Sequence, residues 1–255
     1  MKRRLGQAAD ALGRVGLAAA GFALYQRLAA LRAPPAPGLP PPYLRVLTAG
    51  DADPAAFVHV GEGAAREVLT LARSHGIDPG EADAVLDFGC GCGRVARPLA
   101  ASIPAALHGC DVNPALIGWS QANLAGEFRR TASQPPLPYA DGAFALVYAL
   151  SVFTHLHDPQ LRGWLAELAR VTRRGGIGVL SLFDEDTPAA SSFRPELLAR
   201  GFVVRREGPE GSNLLCGYVS RAGFAERAAP GWEAVQFVPA AESATGQAVA
   251  VLRRA

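Results

Sequence analysis

The spacing of apolar positions changes along this chain, and each change marks an element. Over residues 61–75, Ala64, Ala65, Val68, Leu69, Leu71 and Ala72 recur at helical spacing, and Gly76 can end the helix. From residue 84 the pattern becomes strand, glycine-rich loop, helix, strand. Residues 84–88 are a short apolar strand, 95–101 a helix, 106–110 a second strand and 114–124 the next helix. Residues 127–130 read as a third, weaker strand. The run 144–150 is apolar without a break, as in a parallel strand covered on both faces. Residues 160–171 place Leu161, Trp164, Leu165, Leu168 and Val171 on one helical face, Gly175-Gly176 ends that helix, and 177–183 is the next strand. Strands alternating with helices predict an α/β, doubly wound, mostly parallel sheet. Beyond Asp184 the signal weakens: 202–205 and 214–219 can pair, and 232–238 and 247–252 read as closing strands.

Upstream, residues 33–42 contain six prolines in ten positions, which favours an extended linker. Before it, residues 1–32 read as an N-terminal amphipathic helix, with Leu5, Leu12, Val15, Ala19, Phe22 and Ala30 at roughly helical spacing. Its apolar run, 15–26, is short of the roughly 20 residues that span a bilayer. Packing on the domain, peripheral membrane contact through Lys2, Arg3, Arg4 and the apolar face, and a cleaved signal all remain open. The expected organisation is therefore an extension (1–32), a linker (33–42) and one domain (43–255).

Composition changes this picture little. The chain has 255 residues, 49% of them hydrophobic, which is enough for a sizeable core. A net charge of +2 is far from that of a nucleic-acid binder, so no nucleic-acid partner is expected. Cys90, Cys92, Cys110 and Cys216 match no disulfide framework and no metal-ligand spacing, so they read as reduced thiols in a cytoplasmic protein, with no metal.

The informative segment is Val85-Leu-Asp-Phe-Gly-Cys-Gly-Cys-Gly-Arg94. Gly89, Gly91 and Gly93 follow a strand and precede a helix, where glycine lets the backbone turn sharply and approach a ligand. A dinucleotide loop has a different glycine spacing, and an acid at its strand end would repel phosphate. Asp87 suits an ammonium group instead. Asp111, about 20 residues on at the end of the second strand, is placed to accept hydrogen bonds from a ribose diol; it could also cap the helix that begins near Pro114.

Together these residues resemble the class I S-adenosylmethionine-dependent methyltransferase family. The likeness continues through Pro136-Leu-Pro-Tyr-Ala-Asp-Gly-Ala-Phe-Ala-Leu-Val-Tyr-Ala-Leu-Ser-Val-Phe-Thr-His-Leu156 and Leu168-Ala-Arg-Val-Thr-Arg-Arg-Gly-Gly176. Residues 39–45, Phe57 and Gly61 resemble the approach segment of a bacterial subgroup. The resemblance implies a Rossmann-like sheet of about seven strands, the last antiparallel, with S-adenosylmethionine as co-substrate. It implies a cofactor site at Asp87, Gly89, Cys90, Gly91, Gly93, Arg94, Asp111, Val112, Asn113, Ser133, Leu150 and Ser151. Two positions depart from the family. Ala145 stands where the family commonly has Asp, and Thr131-Ala-Ser-Gln134 lacks the acid that often holds the adenine amino group, a role left to Ser133 or a carbonyl.

A methyl group on a sulfonium is already electrophilic, so a general base is needed only when the acceptor must lose a proton early. His155, after the fourth strand, is the first candidate base or a structural cap; Asp184, after the fifth, is the second or a solvated turn. His59 could lie on a cofactor lid, and Trp119 and Trp164 read as helix-face core residues. The expected acceptor is a small molecule. A non-catalytic binding module on the same fold and a nicotinamide oxidoreductase are the competing readings.

Overall fold

The computed structural model describes residues 24, 27, 28, 31, 33–80, 84–208 and 211–255. Helices α1 (Pro42–Ala49) and α2 (Pro54–Ser74) lead into β1 (Ala84–Phe88), α3 (Ala96–Ala100), β2 (Ala106–Asp111), α4 (Pro114–Asn123), β3 (Glu127–Arg130) and β4 (Phe144–Ala149). A 3-10 turn (Phe153–His155), α5 (Asp158–Val171) and β5 (Thr172–Leu182) follow. The last third comprises a second 3-10 segment (Pro188–Phe193), α6 (Arg194–Arg200), β6 (Phe202–Arg206), β7 (Cys216–Val219), α7 (Arg221–Ala228), β8 (Trp232–Val238) and β9 (Ala248–Arg254).

The strands form a seven-stranded sheet in the order β3-β2-β1-β4-β5-β9-β8. β1 to β5 run parallel, and β9 is antiparallel to both its neighbours. All six residues of β4 are buried, which is why its sequence shows no polar alternation. Residues alternate between the two faces of the sheet. Val85, Tyr148, Val179 and Val251 pack with Val68 and Ala72 of α2 and Leu99 of α3. Leu86, Val147, Leu180 and Leu252 pack with Leu161, Leu165 and Leu168 of α5 and Phe224 of α7. The expected pair 202–205 and 214–219 forms, but as a separate antiparallel hairpin, β6–β7, rather than as strands of the main sheet.

Three boundaries differ from the sequence reading for identifiable reasons. α2 begins at Pro54 rather than 61, because Asp53 caps it by accepting from the Ala56 N–H at 2.6 Å and proline suits a first turn. The proline-rich segment runs into a helix that its composition hid: Pro41 and Pro42 open α1, and Gly50, at φ 74°, closes it. Gly175-Gly176 does not end α5; Thr172 leaves the helix, and the two glycines lie in an irregular start of β5, where the register jumps from Phe144–Thr172 to Leu146–Ile177.

Arg45 ties the linker down. Its side chain is fully buried and donates to the carbonyls of Ala52 (2.8 Å), Pro40 (2.7 Å) and Pro34 (3.0 Å). The N-terminal amphipathic helix and its basic residues lie outside the described residues, apart from 24, 27, 28 and 31, which are helical and exposed. Among the described residues, no helix is long and apolar enough to cross a membrane.

Candidate active site

The glycine loop leaves the carboxyl end of β1 and crosses to β2. The N–H groups of Gly89 and Cys90 both donate to the Cys110 carbonyl, at 2.8 and 3.0 Å. Gly89, Gly91 and Gly93 have φ of 75°, 56° and 75°, the left-handed region that only glycine enters freely. A side chain on Gly91 would also lie 2.7 Å from that of Thr48 on α1. Thr48 Oγ1 accepts from the Cys92 N–H at 3.2 Å, so α1 is fastened across the loop. Gly61 has a packing reason: a Cβ there would lie 2.2 Å from the Arg94 carbonyl, so glycine lets α2 approach the loop.

Asp111 organises this loop. Oδ2 accepts from the Gly91 N–H at 3.0 Å and Oδ1 from the Asn113 N–H at 2.8 Å, leaving acceptor capacity on each oxygen. It is not the cap of α4; that role belongs to Asn113, which accepts from the Ala115 N–H at 3.0 Å. Burial pushes the Asp111 carboxyl above its ordinary range, opposed by those backbone donors.

A cavity of about 730 Å³ opens above the carboxyl ends of the strands. Of the residues expected at the cofactor, Asp87, Gly89, Cys90, Gly91, Arg94, Asp111, Val112, Asn113, Ser133, Leu150 and Ser151 line it; Gly93 does not, its role being to turn the loop. Thr131 joins Ser133 on the wall, both from the segment without the family's acid. Ala145, the other departure, lies near the start of β4, away from the cavity.

Asp87 is 4% exposed, and burial raises its pKa to about 7. The Tyr148 hydroxyl, beside it in the sheet register, lowers it, Asp111 raises it and Arg94 lowers it. Tyr148 itself is fully buried, with its hydroxyl lacking a partner at hydrogen-bonding geometry. Arg94 likewise keeps a buried Nε with no partner, and burial depresses its guanidinium. A desolvated carboxylate and a desolvated guanidinium at one end of a cavity fit a ligand with both ammonium and carboxylate groups, which is the amino-acid end of S-adenosylmethionine. The cysteines around them are small buried packing groups; burial pushes the Cys92 thiol up to about 11.

The opposite end is built from other segments. His155, on the turn after β4, directs Nδ1 at the Leu215 carbonyl, 2.7 Å away. A carbonyl only accepts, so Nδ1 carries the proton and Nε2 is the basic nitrogen. Burial lowers the pKa of His155, partly offset by the Leu215 bond. Asp184, the second candidate base, does not line the cavity. It is fully buried and receives the Asp186 and Thr187 N–H groups at 3.1 Å each and Arg221 Nε at 2.9 Å, so it anchors the polypeptide after β5. His59 is exposed on α2 and does not line the cavity either. Trp119 packs against the cluster of Leu44, Phe57, Cys92 and Leu116, and Trp164 is 2% exposed against Phe88.

Sequence reasoning missed the rest of this wall: Leu47 and Thr48 of α1, Arg206, the hairpin loop 211–214 and Gln247. Gln247 closes a ring of hydrogen bonds below the cavity. Its Nε2 donates to Ser151 Oγ (2.9 Å), its Oε1 accepts from Ser181 Oγ (2.7 Å), and Ser181 Oγ accepts from the Ser151 N–H (2.6 Å). The ring holds Ser151 at φ 61°, a left-handed conformation unusual outside glycine. Only polar residues at strand ends could have signalled it.

Comparison with known proteins agrees with this geometry. Residues 85–176 match a family described as a methyltransferase domain. An O-methyltransferase of Aspergillus nomiae is 30% identical over 163 residues, covering 57% of this chain and 70% of that protein. A sterol 24-C-methyltransferase of Gibberella zeae is 32% identical over 121 residues, 44% of this chain; the chain spans only 30% of that protein's length. Both are fungal, so the likeness extends beyond a bacterial subgroup. The S-adenosylmethionine-bound amino pentose methyltransferase CalS10 of Micromonospora echinaspora shares the fold, with a TM-score of 0.56 at 19% identity over 76% of this chain and 92% of its own. Loop, sheet order and relatives agree: the chain belongs to the Rossmann-like, class I family of S-adenosylmethionine-dependent methyltransferases.

Proposed function

We propose that this protein methylates an oxygen of a small-molecule acceptor, with His155 as the proton acceptor. Bound S-adenosylmethionine supplies a methyl group already activated on a sulfonium. Asp87 and Arg94 hold its amino-acid end, Asp111 its ribose, and Thr131 and Ser133 stand at the wall left for the adenine. The observation that carries the reading is the tautomer of His155. Nδ1 is committed to the Leu215 carbonyl, and burial keeps the ring neutral, so Nε2 can take a hydroxyl proton on the cavity wall shared with the glycine loop. An O-methyltransferase among the relatives supports oxygen as the acceptor atom.

The experiment follows methyl transfer from labelled S-adenosylmethionine to a panel of small phenols and hydroxy acids. His155→Gln should lower kcat by about 10²-fold or more, the usual range for a lost general base, with S-adenosylhomocysteine affinity within twofold of wild type. Equal losses of turnover and cofactor binding would make His155 a structural residue. Turnover unchanged in the variant would show that His155 is not the base.

A further inference from the structure

We propose that the acceptor carries an anionic group, carboxylate or phosphate, which Arg206 binds at the cavity mouth while the acceptor hydroxyl faces His155. This rests on the methyl-transfer reading and specifies its substrate class.

Arg206 ends β6 and turns back on its own hairpin loop. Nε donates to the Leu214 carbonyl and Nη2 to the Asn213 carbonyl, each at 2.6 Å. His155 takes the next carbonyl, Leu215. Three consecutive carbonyls of one loop are thus received by a guanidinium and an imidazole from different elements, which fixes both groups on one wall. The guanidinium is exposed at the mouth yet lines the cavity, and its charge reaches the ring, which it lowers in pKa.

Both bonds of Arg206 go to neutral carbonyls, and among the described residues no carboxylate pairs with it; Nη1 has no protein partner there. Its neighbour Arg205 is matched by Glu196 at 2.8 Å, and Arg221 by Asp184 at 2.9 Å. Among the described residues, the acids that line the cavity are Asp87 and Asp111, both at the glycine loop rather than beside Arg206. A planar guanidinium with a free edge binds a carboxylate or phosphate with directional hydrogen bonds. Between Arg206 and the loop the wall is apolar, with Leu47, Leu156, Phe183 and Leu214. That surface suits a carbon skeleton spanning the hydroxyl and the anion.

The test measures binding to protein loaded with S-adenosylhomocysteine, using probes in matched pairs. 4-Hydroxybenzoate and 3-hydroxyoctanoate are compared with their methyl esters, and 4-hydroxyphenyl phosphate with hydroquinone. In at least one pair the anion should bind tenfold or more tightly than its neutral partner. A carboxylate pair or the phosphate pair showing the larger gap identifies the anion. Arg206→Gln should erase the gap while leaving S-adenosylhomocysteine affinity within twofold. A merely structural loss would weaken both members alike. The proposal fails if no anion binds at millimolar concentration, if neutral partners bind as tightly, or if the gap survives R206Q. Should R206Q lose S-adenosylhomocysteine, salt decides in the wild type: raising NaCl from 0.05 to 0.5 M should shrink the gap, and a constant gap overturns the proposal. Failure of wild-type protein to bind S-adenosylhomocysteine at all would instead sink the methyltransferase reading.

Discussion

The two ends of the cavity are built in opposite ways. The cofactor end is nearly one stretch of chain, residues 85–113, and much of its form is backbone: positive-φ glycines, N–H groups that fasten the loop to β2 and α1, and an acid at each of two strand ends. The acceptor end gathers α1, the turn after β4, the β6–β7 hairpin and the approach to β9, and its chemistry is in side chains. Backbone recognition requires a fixed local sequence, because only certain residues adopt the conformation. Side-chain recognition requires only that distant residues meet, which leaves no local signature. The first end can therefore be common to a family while the second is particular to one acceptor.

The largest effect should come from the residue that most defines the cofactor end. Asp87→Asn removes the buried carboxyl that the proposed reading sets against the ligand ammonium, while keeping the shape of the side chain. Hydrogen bonds to charged groups are worth roughly 1.5–3 kcal/mol, so S-adenosylhomocysteine affinity should fall by up to about a hundredfold. The same change should stabilise the ligand-free protein at pH 8, because it relieves a carboxylate that burial disfavours; each kcal/mol gained raises Tm by roughly 2–4 °C at this size. A variant that binds normally would break the assignment of Asp87 to the cofactor, and one that binds poorly but melts lower would point to a collapsed site.

Asp111→Ala tests the second acid and should weaken S-adenosylhomocysteine by about tenfold, from a lost ribose contact and a loosened Gly91. Asp111→Asn should cost less, since the amide oxygen still accepts. Because Asn113, not Asp111, caps α4, the melting temperature should move little in D111N. A large drop in stability at unchanged affinity would make Asp111 a loop strut alone.

These two acids were legible from sequence because each follows an apolar run that must be a parallel strand, and strand ends in such sheets face the ligand. The alternation of strands with helices and the glycine loop were legible for the same reason, whereas the seven strands and the antiparallel last one came from the resemblance and the strand order only from the structure. Asp184 shows the limit of that rule: it also ends a strand, but Arg221, 37 residues later, turns it into an anchor. His155 was found by position, whereas its tautomer depends on Leu215, 60 residues away. Arg206, Asn213 and Gln247 carried no signal, because the hairpin that delivers the first two lies outside the main sheet and nothing local places it over the cavity. Helix α1 was hidden by prolines that read as linker and serve as a helix start.

Asp87 also gives binding at the cofactor end a pH dependence of its own. Its folded pKa of about 7 lies above the ordinary 3.8, so the ligand-free folded state keeps a proton that the unfolded chain releases between those values. The stability contributed by this group is full below pH 4 and is lost as pH rises toward 7. Binding of an ammonium group has the opposite sign, because it needs the carboxylate. S-Adenosylhomocysteine affinity should therefore rise by nearly tenfold from about pH 5.5 to 6.5, where less than a quarter of Asp87 is ionised, and level off above 7. D87N should show a flat profile. A flat profile in the wild type would mean that the ammonium is neutralised elsewhere.

The smallest predicted effect concerns a bond that ties the hairpin to α1 across the mouth. Asn213 Nδ2, on the hairpin loop, donates to the Leu47 carbonyl of α1 at 3.0 Å. α1 in turn is fastened to the glycine loop through Thr48, so the hairpin, α1 and the cofactor loop form a chain of contacts over the cavity. Asn213→Ala removes its first link and touches neither acid nor His155. A net hydrogen bond contributes about 0.5–1.5 kcal/mol, a factor of roughly two to twelve. The cost should fall on the dissociation rate, because effects of this kind change residence time more than encounter. S-Adenosylhomocysteine should leave a few times faster from N213A, with an unchanged association rate, and Thr48→Val should act the same way from the other side of α1. If N213A leaves the release rate as in wild type while T48V raises it, the clasp to the hairpin is idle and α1 guards the cofactor alone. The two ends of the cavity would then open independently, and the acceptor could exchange without loosening its methyl donor.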